Sequence, residues 1–131
     1  MTLDNLVGIS LEPIAPDLLT IRRLLNAAQR NIDDSHLPGL SNENRFDAAY
    51  KAIMQIANAA LQTRGFRTLT SKPGHHQTMI QSLVKTLDIN FETVIVLDAL
   101  RKQRNVADYS GDLVTDAAVK EVLPKRNCYW L

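Results

Sequence analysis

Apolar residues recur at steps of three and four along most of the chain, which is the period of an amphipathic α-helix. The first such segment starts after Asp17, a residue type that caps helices, and ends before the loop at Pro38. Residues 1–16 show no clean period and contain Gly8 and two prolines, so we expect an arm with room for one short extended piece. The inward stripe of the first helix is Leu18, Ile21, Leu25, Ala28 and Ile32.

The second periodic segment is predicted to be the central helix of the fold. Ser41 or Asn42 opens it, and Gly65 stands where a left-handed C-terminal cap is expected. It is rich in alanine, whose small side chain allows another helix to approach closely. Its inward stripe is Phe46, Ala49, Tyr50, Ile53, Ile56, Ala57, Ala60 and Leu61.

Two further helices follow a turn at residues 71–74. Asn90 can cap the second of them, which is predicted to run from about Phe91 to Tyr109. Residues 94–97 of this fourth helix are apolar on all sides, and we therefore expect it to be buried. The third helix is predicted to direct inward Met79, Ile80, Leu83, Val84 and Leu87.

A short fifth helix completes the pattern, with Thr115 as its cap and Pro124 as its stop. Helices joined by short connections favour an antiparallel bundle. We therefore predict an all-α fold, an antiparallel bundle of about five helices over residues 17–124. The arm at residues 1–16 precedes it, and residues 125–131 form a C-terminal tail.

Composition supports this fold class and limits the classes of function. Apolar residues make up 45% of the chain and aromatic residues only 5%, so the core must be largely aliphatic. The single cysteine, Cys128, excludes an internal disulfide and fits a reducing compartment. No apolar run approaches the roughly 20 residues that span a bilayer, and no secretory signal is evident. We expect a cytoplasmic protein with no membrane partner.

The net charge is only +1, but the basic residues are unevenly placed. Between Asp47 and Asp88 there is no acidic residue. If the basic residues are neighbours in the fold, they form a face that attracts RNA or nucleotide phosphates. If they are not, they merely solvate the outsides of helices. The residues in question are Lys51, Arg64, Arg67, Lys72, His75, His76 and Lys85, with a second cluster of Arg101, Lys102 and Arg104.

The end of the fourth helix carries the densest group of polar residues. Residues four apart share a helix face, so Arg104 is expected beside Asp108, and Asn105 beside Tyr109. Such a patch combines a fixed cation with a carboxylate, an amide and a phenol. It is either a functional site or a helix end whose arginine pairs with Asp108 and offsets the helix dipole.

The chain resembles the HEPN family, the higher-eukaryote and prokaryote nucleotide-binding domains. The similarity rests on Arg-Asn-x-Ala-Asp-Tyr at residues 104–109, on residues 45–50 and on the Gly-His-His turn at residues 74–76. It covers roughly residues 41–123. The resemblance implies an all-α bundle, often dimeric, with the polar motif near the dimer groove. Many members are metal-independent ribonucleases that act as toxins beside a nucleotidyltransferase-type antitoxin, or in phage defence.

Under this resemblance Arg104 is the motif arginine, and Asn105 is the polar residue that often follows it. The family's catalytic pattern places a histidine a few residues later, but here Asp108 and Tyr109 stand near that place and no histidine follows. Cleavage of RNA without a metal needs one group that donates a proton and one that accepts a proton, and histidine usually fills both roles. This departure favours a protein that binds RNA or a nucleotide over an active ribonuclease.

Three hypotheses assign roles to the candidate residues. In a ribonuclease, Arg104 holds the scissile phosphate and protons move through Asp108, Tyr109 or a loop histidine, His75 or His76. In a binding module, the ligand contacts are Arg101, Arg104, Asn105 and Lys72. In a structural module, the motif forms the contact with a second copy or with a nucleotidyltransferase. Ligand spacing typical of zinc and Gly-rich phosphate loops are missing from the sequence, so we expect no metal or cofactor.

Overall fold

A computed structural model describes residues 3–71 and 74–110 together with Thr115, Ala117 and Val119; for Phe91 and residues 106–110 only the backbone is described. The described chain is mostly helical. Its elements, in chain order, are a 3-10 helix at Leu3–Leu6, β1 at Leu11–Pro13, α1 at Leu18–Ser35, α2 at Asn42–Thr63, β2 at Phe66–Thr68, α3 at His75–Thr86 and α4 at Phe91–Ser110.

The helix starts follow the predicted capping chemistry. A carboxylate oxygen of Asp17 accepts from the amide of Leu19, at 3.1 Å, at the start of α1. The hydroxyl of Ser41 and the amide oxygen of Asn90 do the same for α2 and α4. These short polar side chains satisfy amides that have no partner within the helix, which fixes where each helix begins.

Helix α2 lies at the centre of the fold, as predicted. It packs against α1, α3, α4 and β2, and most of its predicted stripe is buried. Against α1 the contact consists of small and β-branched residues, since Ala52 and Ile56 meet Ala28 and Ile32. On the opposite side Tyr50, Met54 and Leu61 join the residues of α3 in the main core cluster.

A two-stranded antiparallel sheet ties the N-terminal arm to the end of α2. Leu11 pairs with Thr68, and Glu12 pairs with Arg67. The short extended piece expected in the arm is thus confirmed as β1. Its partner β2 was not predicted, because three residues carry no detectable period and their conformation depends on a segment 55 residues away in sequence.

The prediction that the fourth helix is buried on all sides is wrong. Val94 and Leu100 are each 3% exposed, but Ile95 is 56% and Val96 is 42% exposed. The physical reason is that α4 packs mainly on α3 and α2, which cover one face. A similar correction applies to Leu18, which is 74% exposed because the packed face of α1 begins at Ile21.

Part of the predicted fifth helix can be followed. The amide of Val119 donates to the carbonyl of Thr115 at 3.1 Å, which is a helical hydrogen bond. Val119 is 2% exposed and packs with Phe46 and Leu100. The remainder of that predicted helix, and the predicted tail at residues 125–131, lie outside the described residues.

Candidate functional site

The candidate site forms where three helices meet. Helix α2 contributes Asp47 and Tyr50, which are three residues apart and therefore share a face. The first turn of α3 contributes His76, and the second half of α4 contributes Arg101 and Arg104. We call these five residues the Arg104 cluster.

Two residues of α2 hold the guanidinium of Arg104 in place. Its Nε donates to a carboxylate oxygen of Asp47 at 3.1 Å. Its Cζ lies 4.9 Å from the centroid of the Tyr50 ring, which is a cation–π contact. The Arg104 side chain is 25% exposed. The arginine is therefore fixed in orientation and still reaches solvent.

Among the described residues around the cluster, cationic side chains outnumber carboxylates. The ammonium of Lys51 lies 3.2 Å from the other carboxylate oxygen of Asp47, so both oxygens of Asp47 form ion pairs. Asp98 pairs with Arg101 at 2.8 Å and with Lys102 at 3.7 Å. Among the described side chains, four cations thus share two carboxylates, which gives this part of the surface an excess of two positive charges. An excess of this kind attracts phosphate groups.

Tyr50 links the arginine to a histidine. Its hydroxyl lies 3.2 Å from Nδ1 of His76, and the phenol is 2% exposed. Burial raises the pKa of Tyr50 to about 12, against the opposing effect of Arg104 and Arg101. The phenol is therefore protonated at neutral pH and can act as a hydrogen-bond donor or acceptor, but not as a base.

His76 is held in its neutral form by its surroundings. Burial lowers the pKa of its imidazole, and the nearby charges of His75, Arg104 and Arg101 lower it further. The His75 ring meets it edge-on, with the ring centroids 4.7 Å apart. A neutral imidazole has one donor and one acceptor nitrogen. His76 can therefore donate to an anion or accept a proton while Tyr50 orients the ring.

The structure brings together some of the predicted site residues. Arg101, Arg104 and His76 belong to one cluster, with His75 against it and Asn105 half-buried one residue farther along α4. Lys72 lies outside the described residues. The side chains of Asp108 and Tyr109 also lie outside what is described, so their predicted contacts with Arg104 and Asn105 stay predictions.

Two residues of the cluster were not predicted as site residues. Tyr50 was assigned to the core stripe of α2, and it is indeed a core residue whose hydroxyl faces the site. Asp47 stands one residue after Phe46 and received no role. Both Asp47 and Tyr50 lie within residues 45–50, one of the segments on which the HEPN resemblance rests. That position is the sequence signal that could have marked them as site residues.

The basic stretch between Asp47 and Asp88 does not gather at one place. Lys51 lies beside the Arg104 cluster, where it pairs with Asp47. Arg64 lies 13 residues farther along the chain, which is a distance of roughly 20 Å on a helix. Arg67 forms an ion pair with Glu12 across the small sheet. The positive charge at the site therefore comes mainly from α4 and from Lys51.

Among the described residues, no group of three or more His, Cys, Asp or Glu side chains is arranged to hold a metal ion. Within the same part of the chain, none of the helices combines the length and the apolar character needed to cross a membrane.

Comparison with family models, with curated proteins and with solved structures finds no match to this chain. The geometry of the Arg104 cluster is therefore the structural basis for assigning a function.

Proposed function

We propose that this protein is a HEPN-like antiparallel bundle of about five helices that binds RNA or a nucleotide at the Arg104 cluster. The observation that carries the proposal is the arrangement of Arg104, held by Asp47 and Tyr50 and linked through Tyr50 to His76. It joins α2, α3 and α4 through polar contacts at a partly exposed surface.

Each residue has a defined role in this proposal. The guanidinium of Arg104 presents several donors in one plane, a geometry that suits a phosphate better than a lysine does. Arg101 and Lys51 add positive charge beside it. The neutral imidazole of His76 supplies a hydrogen bond to a phosphate or ribose oxygen.

A metal-independent endoribonuclease is the second candidate, and one observation favours it. His76 places an imidazole in the same cluster as Arg104, although the motif histidine is missing from α4. In this mechanism His76 removes the proton of the ribose 2′-hydroxyl, whose oxygen attacks the adjacent phosphorus while the bond to the 5′-oxygen breaks. Arg104 stabilises the charge on the phosphate, and the leaving 5′-oxygen takes a proton from water. In this role Nδ1–H of His76 donates to the hydroxyl oxygen of Tyr50, which orients the imidazole and leaves Nε2 free to take the proton.

The cellular setting is proposed from the resemblance. A HEPN-like protein of this kind would act in the cytoplasm, in a prokaryotic toxin–antitoxin or phage-defence system, beside a nucleotidyltransferase-type antitoxin. We also propose a homodimer, which the exposed Val96 on the outer face of α4 supports. A non-catalytic dimerisation module for the nucleotidyltransferase is the structural alternative.

One pair of assays separates binding from cleavage. Purified protein is mixed with short single-stranded RNA, and both the bound fraction and the intact RNA are measured. Arg104→Lys should weaken binding in either case, because an ammonium does not reproduce the planar donors of the guanidinium. If the protein is a ribonuclease, His76→Asn should lose cleavage and keep most of the RNA binding. If it is a binding module, the RNA should stay intact even with the wild-type protein. Unchanged binding by folded Arg104→Lys would contradict both.

A further inference from the structure

A second site-like feature lies outside the Arg104 cluster, in a groove between α3 and α4 that the N-terminal arm closes on one side. Its cavity has a volume of about 580 Å³, within the range of small-molecule sites. The apolar residues that line it are Leu3, Leu6, Val84, Val94, Ile95 and Ala99.

The lining indicates the chemistry of the occupant. Among the described residues of the groove none is aromatic, so they provide no ring on which a nucleobase stacks. Aliphatic side chains line one part of the groove, beside polar side chains such as Thr78 and Ser82; of the aliphatic ones, Val94 is buried and Ile95 is more than half exposed. Covering the aliphatic part of this lining with an alkyl chain removes apolar surface from water, which is favourable.

Charge distinguishes the two ends of the groove. The connection between α3 and α4 is only four residues long, so Lys85 lies near the start of α4. Lys102 lies eight residues beyond Val94, roughly 12 Å along the helix, and shares Asp98 with Arg101. The Lys85 side chain is exposed, and no carboxylate of the described residues lies within ion-pair distance of it. One end is therefore cationic, while carboxylate and cations meet at the other.

The geometry points to a medium-chain aliphatic carboxylate as the ligand of this groove. Its carboxylate pairs with the ammonium of Lys85, next to the exposed amide side chain of Gln81. Its alkyl chain runs along Val94 and Ile95 toward Ala99. The groove and the Arg104 cluster meet at Asp98 and Lys102, but the carboxylate of the ligand binds at the opposite end, at Lys85, so this inference does not depend on the proposed RNA-binding function.

Isothermal titration of the full chain with decanoate tests this site. Decanoate should bind with one-to-one stoichiometry, while butanoate and decyltrimethylammonium, which change the chain length or the sign of the charge, should bind at least about tenfold more weakly. Equal binding of the cationic amphiphile would overturn the proposal, because it would show surfactant adsorption only.

Two groove variants, each with a control variant outside the groove, test where decanoate binds. Ala99→Phe fills the groove and should abolish decanoate binding, whereas Ala15→Phe, at an exposed position outside it, should not. Lys85→Gln should weaken binding about three- to tenfold, and Arg22→Gln on α1 should leave it unchanged. Circular dichroism checks that each variant is folded. Retained decanoate binding by both groove variants would overturn the proposal. It would also be overturned if the wild-type protein were a dimer that Ala99→Phe dissociates, since a second copy of the chain would then occupy the groove.

Discussion

At the scale of single residues, the sequence directed attention to Arg104 but not to its partners. Asp47 lies 57 residues away, and no local spacing rule connects the two. Tyr50 satisfied the apolar period of α2, which hid the polar role of its hydroxyl. The group of polar residues at one helix end is visible in the sequence, whereas contacts that depend on the packing of α2 against α4 are not.

A double-mutant cycle tests whether Asp47 and Arg104 interact as described. Arg104→Ala and Asp47→Ala should each lower the free energy of unfolding, and the double variant should lose less than the sum of the two. We expect a coupling of about 0.2–1 kcal/mol, since both side chains are a quarter to a third exposed and solvent weakens the pair. Urea denaturation measures it. Strict additivity would show that the ion pair contributes nothing.

The surroundings of His76 predict how stability depends on pH. Burial and nearby cationic groups lower the pKa of its imidazole below the usual 6.5, so the unfolded chain takes up the proton more readily. Its contribution to stability is complete above about pH 6.5 and is lost as the pH falls through the folded-state value. The melting temperature should therefore fall on the acid side, and His76→Asn should flatten this fall.

His36, at the end of α1 outside the cluster, provides the control for that titration. His36→Asn should keep the acid-side fall of the wild type. A His76→Asn variant whose melting temperature follows the same pH profile as wild type would show that the imidazole is not held neutral by the fold.

At the scale of elements, the periods and caps predicted the four helices well. Asp17, Ser41 and Asn90 begin their helices as expected, because capping is a local interaction between neighbouring residues. The strand β2 was not predictable because its pairing with β1 is long-range. The exposure of α4 was not predictable either, because apolar residues on every face indicate burial without showing which neighbours provide it.

The turn from α2 into β2 should tolerate little change. Gly65 has a φ of +86°, and a β-carbon there would lie 3.4 Å from the carbonyl oxygen of Ile14. Gly65→Ala should lower the free energy of unfolding by about 1–2 kcal/mol, because side chains are disfavoured in the left-handed region. Gly39→Ala, where nothing lies within 4 Å, should have little effect. Equal stability of the two variants in urea denaturation would contradict this account of the turn.

At the scale of the whole molecule, fold class could be read from the sequence more securely than function. Helical periods sum over many residues, so isolated errors such as Leu18 or Ile95 do not change the class. The proposed function depends on a few side chains from three helices, and the point where they meet is set by the packing of α2, α3 and α4.

The proposed homodimer is tested by sedimentation. Val96 is 42% exposed on α4 and does not line the groove between α3 and α4. Val96→Lys should shift the protein toward monomer, because a buried lysine at the contact is costly. Leu37→Lys changes a similarly exposed apolar residue in the loop after α1 and should leave the association unchanged. The proposal would be contradicted if the wild-type protein were monomeric at tens of micromolar, which is an order of magnitude suited to weak association.

The salt dependence of RNA binding tests the central claim most directly. Fluorescence anisotropy of labelled single-stranded RNA should show that wild-type affinity falls steeply as salt rises, because phosphate contacts release counterions. Arg104→Ala should weaken binding about tenfold and reduce the slope of log K against log salt by about 0.7, the value for one phosphate contact on a single strand. Arg30→Ala, an exposed arginine on α1, should change neither. Binding that is indifferent to salt, or identical for Arg104→Ala and wild type, would contradict the account.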